Sequence, residues 1–158
     1  MNNFLRSWWP AIVWAVVIFF MSTDNFSADH TAAIITPVFH WAFPGLDSDQ
    51  LVFINHVIRK CAHFTEYFIF GLFLYRGFRA GQKGWRWSWA LAAWFSAAVY
   101  ASLDEVHQAF VVSRTASPYD SLLDSIGALF AIIALWVWFQ MRKSKTPPAP
   151  SPVSGTPA

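Results

Sequence analysis

Ionisable side chains interrupt a strongly apolar part of the chain between residues 59 and 67. They supply two cations, an imidazole, a carboxyl group and a phenol, from Arg59, Lys60, His63, Glu66 and Tyr67. In a helix, Lys60, His63 and either Glu66 or Tyr67 share one face, because residues three or four apart are neighbours. A charge at membrane depth costs about 2.5–3.5 kcal/mol on insertion scales, so such groups usually face a bundle interior or a wet cavity. The run therefore indicates either a polar pocket or a basic helix end with one satisfied ion pair.

Two further polar clusters occur where later apolar segments end or begin. They contain Asp104, Glu105, His107 and Gln108 in one case, and Arg114, Asp120, Asp124 and Gly127 in the other. The spacing of four within the pairs Asp104/Gln108 and Asp120/Asp124 places each pair on one helix face. Gly127 would let a neighbouring helix approach closely. Three polar clusters at one height favour a functional pocket over simple pairing of helices.

Three kinds of chemistry fit these residue types. The carboxyl and imidazole groups could bind a divalent metal, although no spacing such as His-Glu-x-x-His is present. Alternatively, His63 could act as an acid/base tuned by Glu66, while cationic side chains bind a headgroup or phosphate. The cations of that second interpretation are Arg59, Lys60 and Arg114. The third interpretation is structural, with opposite charges that pair across the bundle and fix the helix register.

The composition places these clusters in a membrane protein. Of the 158 residues, 56% are hydrophobic and only 13% are charged, and ten Trp and sixteen Phe are present. These values lie outside the range of soluble domains. The single cysteine excludes an intramolecular disulfide. The basic residues are scattered over short loops, so no nucleic-acid-binding patch is indicated.

The apolar segments predict an all-α fold, a four-helix transmembrane bundle with spans at about 4–21, 58–75, 87–103 and 119–141. Eighteen residues are close to the lower limit for a span. A signal peptide is the alternative for the first segment, but no Ala-x-Ala site follows Met21 and the core is rich in tryptophan. Ser117-Pro118 followed by Asp120 predicts the start of the last helix.

An acidic connection, residues 22–58, links the first two predicted spans. Its middle part, Thr31 to Phe43, is apolar but too short to span a membrane, and Pro37 interrupts it. This length favours an interfacial or re-entrant segment that could cover the polar pocket.

The charge distribution predicts the orientation of the bundle. Most Lys and Arg residues flank the termini or lie in the loop between the second and third spans, so the positive-inside rule puts both termini in the cytoplasm. All nine acidic residues fall on the other side or in the outer half of a span. The polar pocket therefore faces outward. Trp85, Trp87, Trp136 and Trp138 are expected to form an inner aromatic belt.

The motifs resemble those of the VanZ-like membrane protein family. The similarity covers roughly residues 10 to 140 and lies in Arg59-Lys60-x-x-His63-x-x-Glu66-Tyr67, Asp104-Glu105-x-x-Gln108, Arg114 and Asp120-x-x-x-Asp124-x-x-Gly127. The last motif of the family usually carries Asn where this chain has Asp124. The resemblance implies a small multi-pass protein of the bacterial cytoplasmic membrane, from a family whose founding member is associated with teicoplanin and other lipoglycopeptide resistance.

The sequence predicts a VanZ-like transmembrane domain over residues 1–141 and a disordered, proline-rich cytoplasmic tail over 142–158. The expected function is binding of an anionic lipid or cell-wall intermediate in the outward-facing pocket, linked to lipoglycopeptide resistance. The alternative is a membrane-embedded hydrolase or transferase acting on a lipid-linked or phosphorylated substrate. Candidate catalytic residues are His63, Glu66, Asp104 and Glu105. Candidate ligand-binding residues are Arg59, Lys60, Arg114, Gln108 and Tyr67, and Asp120, Asp124 and Gly127 are expected to be structural.

Overall fold

The computed structural model describes residues 3–23, 28–111 and 117–144, which form five α-helices and no strand. The helices are α1 (Asn3–Met21), α2 (Ala28–Ala42), α3 (Ser48–Arg79), α4 (Trp87–Ala109) and α5 (Pro118–Ser144). The predicted all-α class is therefore confirmed. Residues 145–158 lie outside the described ranges, so the disordered tail stays a prediction.

Helix α3 is the centre of the bundle, because it packs against each of the other four helices. It contains 32 residues, which makes it about 48 Å long at about 1.5 Å per residue. A capping box fixes its start. The Asp47 side chain accepts from the Gln50 N–H at 2.8 Å, and the Gln50 side chain accepts from the Asp47 N–H at 3.1 Å.

Most of the predicted connection over residues 22–58 is helical. The connection contains α2 and the first turns of α3, which begins at Ser48 rather than near residue 58. The Asp47-x-x-Gln50 pattern is a helix start signal that decided this boundary locally.

Helix α2 covers nearly all of the predicted interfacial segment and carries Pro37 within it. Its 15 residues span about 22 Å, which is shorter than the roughly 30 Å hydrocarbon core of a bilayer. One side packs on α3, whereas Ile34, Val38 and Trp41 are strongly exposed. This short helix with an exposed apolar side is compatible with the predicted interfacial position.

Small residues form much of the core between the helices. On α4 the buried stripe consists of Ala90, Ala93, Ala97 and Ala101. Gly71 of α3 lies so close to α5 that an added Cβ would be 3.0 Å from the Ala131 Cβ. Large apolar side chains such as Phe95 and Leu91 point outward instead. Small residues inside and large apolar residues outside are typical of helices that pack in lipid.

Two of the described helices have the length and apolar composition needed to cross a membrane: α1 over Phe4–Met21 and α5 over Pro118–Ser144. They correspond to the first and fourth predicted spans. Helix α5 begins at Pro118 with Asp120 in its first turn, as predicted. The second and third predicted spans lie within helices α3 and α4, which are not among these two, so the four-span bundle stays a prediction.

Aromatic side chains cluster at the end of the bundle formed by the α3–α4 connection and the last turns of α5. The Trp85 and Trp87 rings are 5.4 Å apart, and Trp87 is 6.3 Å from Trp136. The Arg142 guanidinium lies 4.1 Å from the Trp138 ring centroid. The four tryptophans predicted to form a belt therefore share one end of the bundle.

Candidate functional site

Helices α3 and α5 are joined by two pairs of ionisable groups. Lys60 forms an ion pair with Asp120, and one turn further along, His63 Nδ1 lies 3.5 Å from Asp124 Oδ1. The two aspartates are four residues apart, which is about one helical turn, so both lie on the same face of α5. The two aspartates of the last motif thus share one face, and that face meets α3.

The inner of these two pairs is nearly sealed from solvent. The Asp124 side chain is 2% exposed and the His63 side chain 14%. A separation of 3.5 Å is long for a hydrogen bond, and neither Nδ1 nor Oδ1 has another partner among the described residues. The imidazole is therefore positioned beside a buried carboxyl group without being locked by a short hydrogen bond.

Glycine at position 127 allows this close contact between the two helices. A Cβ added there would be 2.5 Å from the Phe64 carbonyl oxygen. Real Cβ atoms do not tolerate that distance, so only glycine fits without movement of the backbone. The close helix approach predicted at Gly127 is confirmed, and it brings Asp124, one turn earlier, against His63.

A cavity of about 120 Å³ opens on the other side of His63, where α1, α2, α3 and α4 meet. Its polar lining comes from Ser22, Thr31, Arg59, His63, Glu66 and Asp104. Ile18, Met21, Ile58 and Ala62 complete the wall. At about 30 Å³ per molecule, the volume equals that of about four waters or a ligand group of similar size. The cavity is the place where the first two polar clusters of the sequence come together.

A buried polar layer lies at the α4 side of the cavity. The Gln108 side-chain amide donates to Asp104 Oδ2 at 3.0 Å. Helix α4 continues past Leu103 to Ala109, so the predicted common face of Asp104 and Gln108 is formed. Tyr67 is fully buried, and within the described ranges its hydroxyl has no hydrogen-bond partner. A buried donor without an acceptor lowers the stability of the folded protein by about 1–3 kcal/mol. The Tyr67 hydroxyl could therefore donate to a bound water or ligand.

Glu105 has a different environment from its neighbour Asp104. Its carboxylate accepts the backbone N–H of Ser117, directly before α5 begins, and it does not line the cavity. A charge-assisted bond to that N–H stabilises the start of α5.

The structure separates residues that the sequence grouped together. Arg59 borders the cavity, whereas Lys60 pairs with Asp120 and borders an apolar groove with Phe64 and Leu123. Adjacent residues on a helix point about 100° apart, at 3.6 residues per turn, which explains the divergence. Arg114, the third predicted cation, lies outside the described residues.

Three contributors to the site were missed by sequence reasoning. Ser22, directly after the end of α1, and Thr31 of α2 line the cavity. Trp14 donates its indole N–H to the Glu66 carbonyl at 2.9 Å and ties α1 to α3 beside the cavity. The only signal for Ser22 was its place directly after the apolar run that ends at Met21. Nothing in the spacing connected Thr31 or Trp14 to α3.

His107 also belongs to this end of the bundle, since its ring stacks on Phe19 at 4.8 Å with an interplanar angle of 20°. It therefore links α4 to α1. Within the described residues, no group of three or more His, Cys, Asp or Glu side chains is arranged to hold a metal ion. The polar groups there are organised as pairs and as cavity lining.

Curated proteins gave no match, and neither did solved structures. The family model VanZ/LLP1 matches residues 7–140, which is most of the chain and includes all three polar clusters. The chain therefore belongs to the VanZ/LLP1 family.

Proposed function

We propose that this VanZ-family protein is a multi-pass protein of the bacterial cytoplasmic membrane that binds an anionic lipid or lipid-linked cell-wall intermediate. In this proposal, α1, α3, α4 and α5 cross the membrane with both termini in the cytoplasm, and α2 lies at the outer interface. Apolar exposure on α1 and α5, together with the small-residue core, supports the membrane assignment. The basic end of the bundle then faces the cytoplasm and the acidic end faces outward.

The cavity beside His63 is the observation that carries the proposal. Arg59 is the described cation that lines it, and a guanidinium group suits a phosphate or carboxylate because it can donate two parallel hydrogen bonds. Glu66 and Asp104 supply acceptors for hydroxyl, amide or amine groups of the same ligand. Mixed charge in one small cavity favours a ligand that carries both an anionic group and hydrogen-bond donors. Headgroups of lipid-linked cell-wall intermediates have this chemistry.

Binding in the cavity is tested with purified protein in detergent and a panel of anionic and zwitterionic lipids. We expect Arg59→Gln and Asp104→Asn to weaken binding of the preferred lipid at least tenfold, which corresponds to about 1.4 kcal/mol. The matched control is His56→Gln, which alters an exposed side chain on the same helix outside the cavity. Equal binding by wild type and both cavity variants would exclude this cavity as the lipid site.

The proposed link to lipoglycopeptide resistance needs a cellular test. Wild type, His63→Gln and Asp104→Asn are expressed at matched membrane levels in a susceptible host, which is then titrated with a panel of lipoglycopeptides that includes teicoplanin. Protection by wild type and loss of protection in both variants would connect the cavity to resistance. If wild type gives no protection, the resistance part of the proposal fails while the lipid-binding part is judged by the binding experiment.

A second candidate function is a membrane-embedded hydrolase or transferase with His63 as acid/base. The specific support is the buried Asp124 carboxyl next to His63 Nδ1, because a carboxylate beside one imidazole nitrogen orients the ring for proton transfer at the other. An enzyme predicts that His63→Gln abolishes turnover of a lipid-linked substrate while binding and folding persist. Loss of folded protein in that variant would instead indicate a purely structural pair.

A further inference from the structure

A second cavity lies at the opposite end of the bundle from the His63 cavity. Along α3, Arg76 and Arg79 of this cavity lie about 25 Å and about 30 Å from Arg59, at about 1.5 Å per residue. The cavity has a volume of about 610 Å³, and its charged lining consists of Arg6 of α1 and Arg76 and Arg79 of α3. Ser7 and residues 80–82 form the rest of the wall. Nothing in the proposed function uses this site.

Glycine 77 explains why a residue from the start of α1 reaches the end of α3. A Cβ at this position would be 2.8 Å from the Trp8 ring, so the absence of a side chain lets the indole lie directly on α3. The Trp8 ring also packs edge-on against Phe78, with centroids 4.9 Å apart. These contacts place Arg6 beside Arg76.

Each of the two α3 arginines donates one hydrogen bond to a backbone carbonyl. Arg76 Nη2 donates to the Arg6 carbonyl at 2.9 Å. Arg79 Nε donates to the Gln82 carbonyl, and its guanidinium carbon lies 5.4 Å from the Phe139 ring centroid. A guanidinium has five N–H donors, so a carbonyl that takes one of them positions the group and leaves donors for a ligand.

Among the described residues, the lining of this cavity contains no acidic side chain. The ion pairs of Lys60 with Asp120 and of His63 with Asp124 lie at the other end of the bundle. Three like charges around one cavity repel each other, and an anion bound among them removes that cost. The site therefore has the charge, the donors and the open volume that an anion requires.

We propose that Arg6, Arg76 and Arg79 form a binding site for a phosphate group. Guanidinium groups match the geometry of phosphate oxygens, to which they donate paired hydrogen bonds. In the proposed topology, this cavity lies close to Trp8 and Phe78 at the level of the cytoplasmic lipid headgroups. The phosphate groups of anionic phospholipids are present at that level. A soluble phosphate compound of the cytoplasm carries the same group, and the test separates the two sources.

The test uses the full-length protein in detergent and isothermal titration calorimetry with three probes. Dihexanoyl-phosphatidylglycerol represents the lipid phosphate, inorganic pyrophosphate represents soluble phosphate, and dihexanoyl-phosphatidylcholine is the zwitterionic control. Wild type is compared with Arg6→Gln, Arg76→Gln and Arg79→Gln. The matched control is Lys83→Gln, which removes the same charge from the exposed loop after α3 without touching the cavity.

We expect each arginine variant to lower the affinity about tenfold or more, since each removes a charge-assisted contact, while Lys83→Gln stays close to wild type. Arg6→Gln keeps the backbone carbonyl that Arg76 uses, so it tests the cavity even if an α3 variant folds poorly. If dihexanoyl-phosphatidylglycerol binds and pyrophosphate does not, the site recognises a lipid headgroup. If pyrophosphate binds equally well, the site accepts a soluble phosphate compound. The proposal would be overturned if the arginine variants kept wild-type affinity or if Lys83→Gln lost as much affinity as they do. It would also be overturned if neither anionic probe bound to the wild-type protein.

Discussion

Gly127 of α5 lies so close to Phe64 of α3 that a single added methyl group would be 2.5 Å from the Phe64 carbonyl oxygen. The obstacle is backbone rather than a flexible side chain. Gly127→Ala therefore forces the two helices apart or distorts one of them, and overpacking of this kind typically costs about 1–3 kcal/mol. We expect a lower thermal unfolding temperature in detergent.

The control for this prediction is Gly45→Ala. Nothing lies within 4 Å of a Cβ at position 45, so that variant is expected to unfold close to the wild-type temperature. Equal stability of the Gly127 and Gly45 variants would show that the α3–α5 contact is less tight than the structure indicates.

The ion pair between Lys60 and Asp120 should contribute to stability as a unit. Its side chains are 31% and 16% exposed, so the pair lies between a surface salt bridge and a buried one. We therefore expect Lys60→Met to lower the free energy of unfolding by about 1–2 kcal/mol. Asp120→Asn should cost a similar amount. The double variant should lose less than the sum of the two, because each single change leaves an unpaired charge. Strict additivity in a double-mutant cycle of unfolding free energies would mean that the pair contributes nothing.

Neighbouring acids Asp104 and Glu105 should give opposite phenotypes. Glu105→Gln weakens the bond to the Ser117 N–H at the start of α5, so we expect a loss of about 1 kcal/mol in stability with ligand binding retained. Asp104→Asn changes the cavity lining, so binding should fall more than stability. Calorimetric binding and thermal unfolding of the two variants would check this, and identical behaviour of both would contradict the separate roles.

Cysteine labelling can test the proposed topology. In a Cys61→Ser background, Gly45→Cys places a thiol in the α2–α3 connection and Lys83→Cys places one in the α3–α4 connection. A membrane-impermeant maleimide added to intact cells should label position 45 only, and permeabilised cells should label both. Labelling of both positions in intact cells, or of position 83 alone, would refute the arrangement with α3 as a span and cytoplasmic termini.

Sequence patterns fixed the features that depend on neighbours along the chain. The long apolar segments predicted α1 and α5, since length and hydropathy are local properties. The spacing of four placed Asp120 and Asp124 on one helix face. Gly127 indicated a close helix contact, because small residues let helices approach each other. The family motif could also be read directly, because its residues keep their order and spacing.

Tertiary structure alone decided which of these residues meet. Arg59 and Lys60 are adjacent in sequence, but helix geometry turns one toward the cavity and the other toward Asp120. Asp104 and Glu105 diverge in the same way. The cavity lining also includes Ser22 and Thr31, which come from other parts of the chain and share no spacing with α3. Periodicity gives the face of each helix, but the rotation and approach of the helices come from contacts such as Gly127 with Phe64, which no single segment encodes.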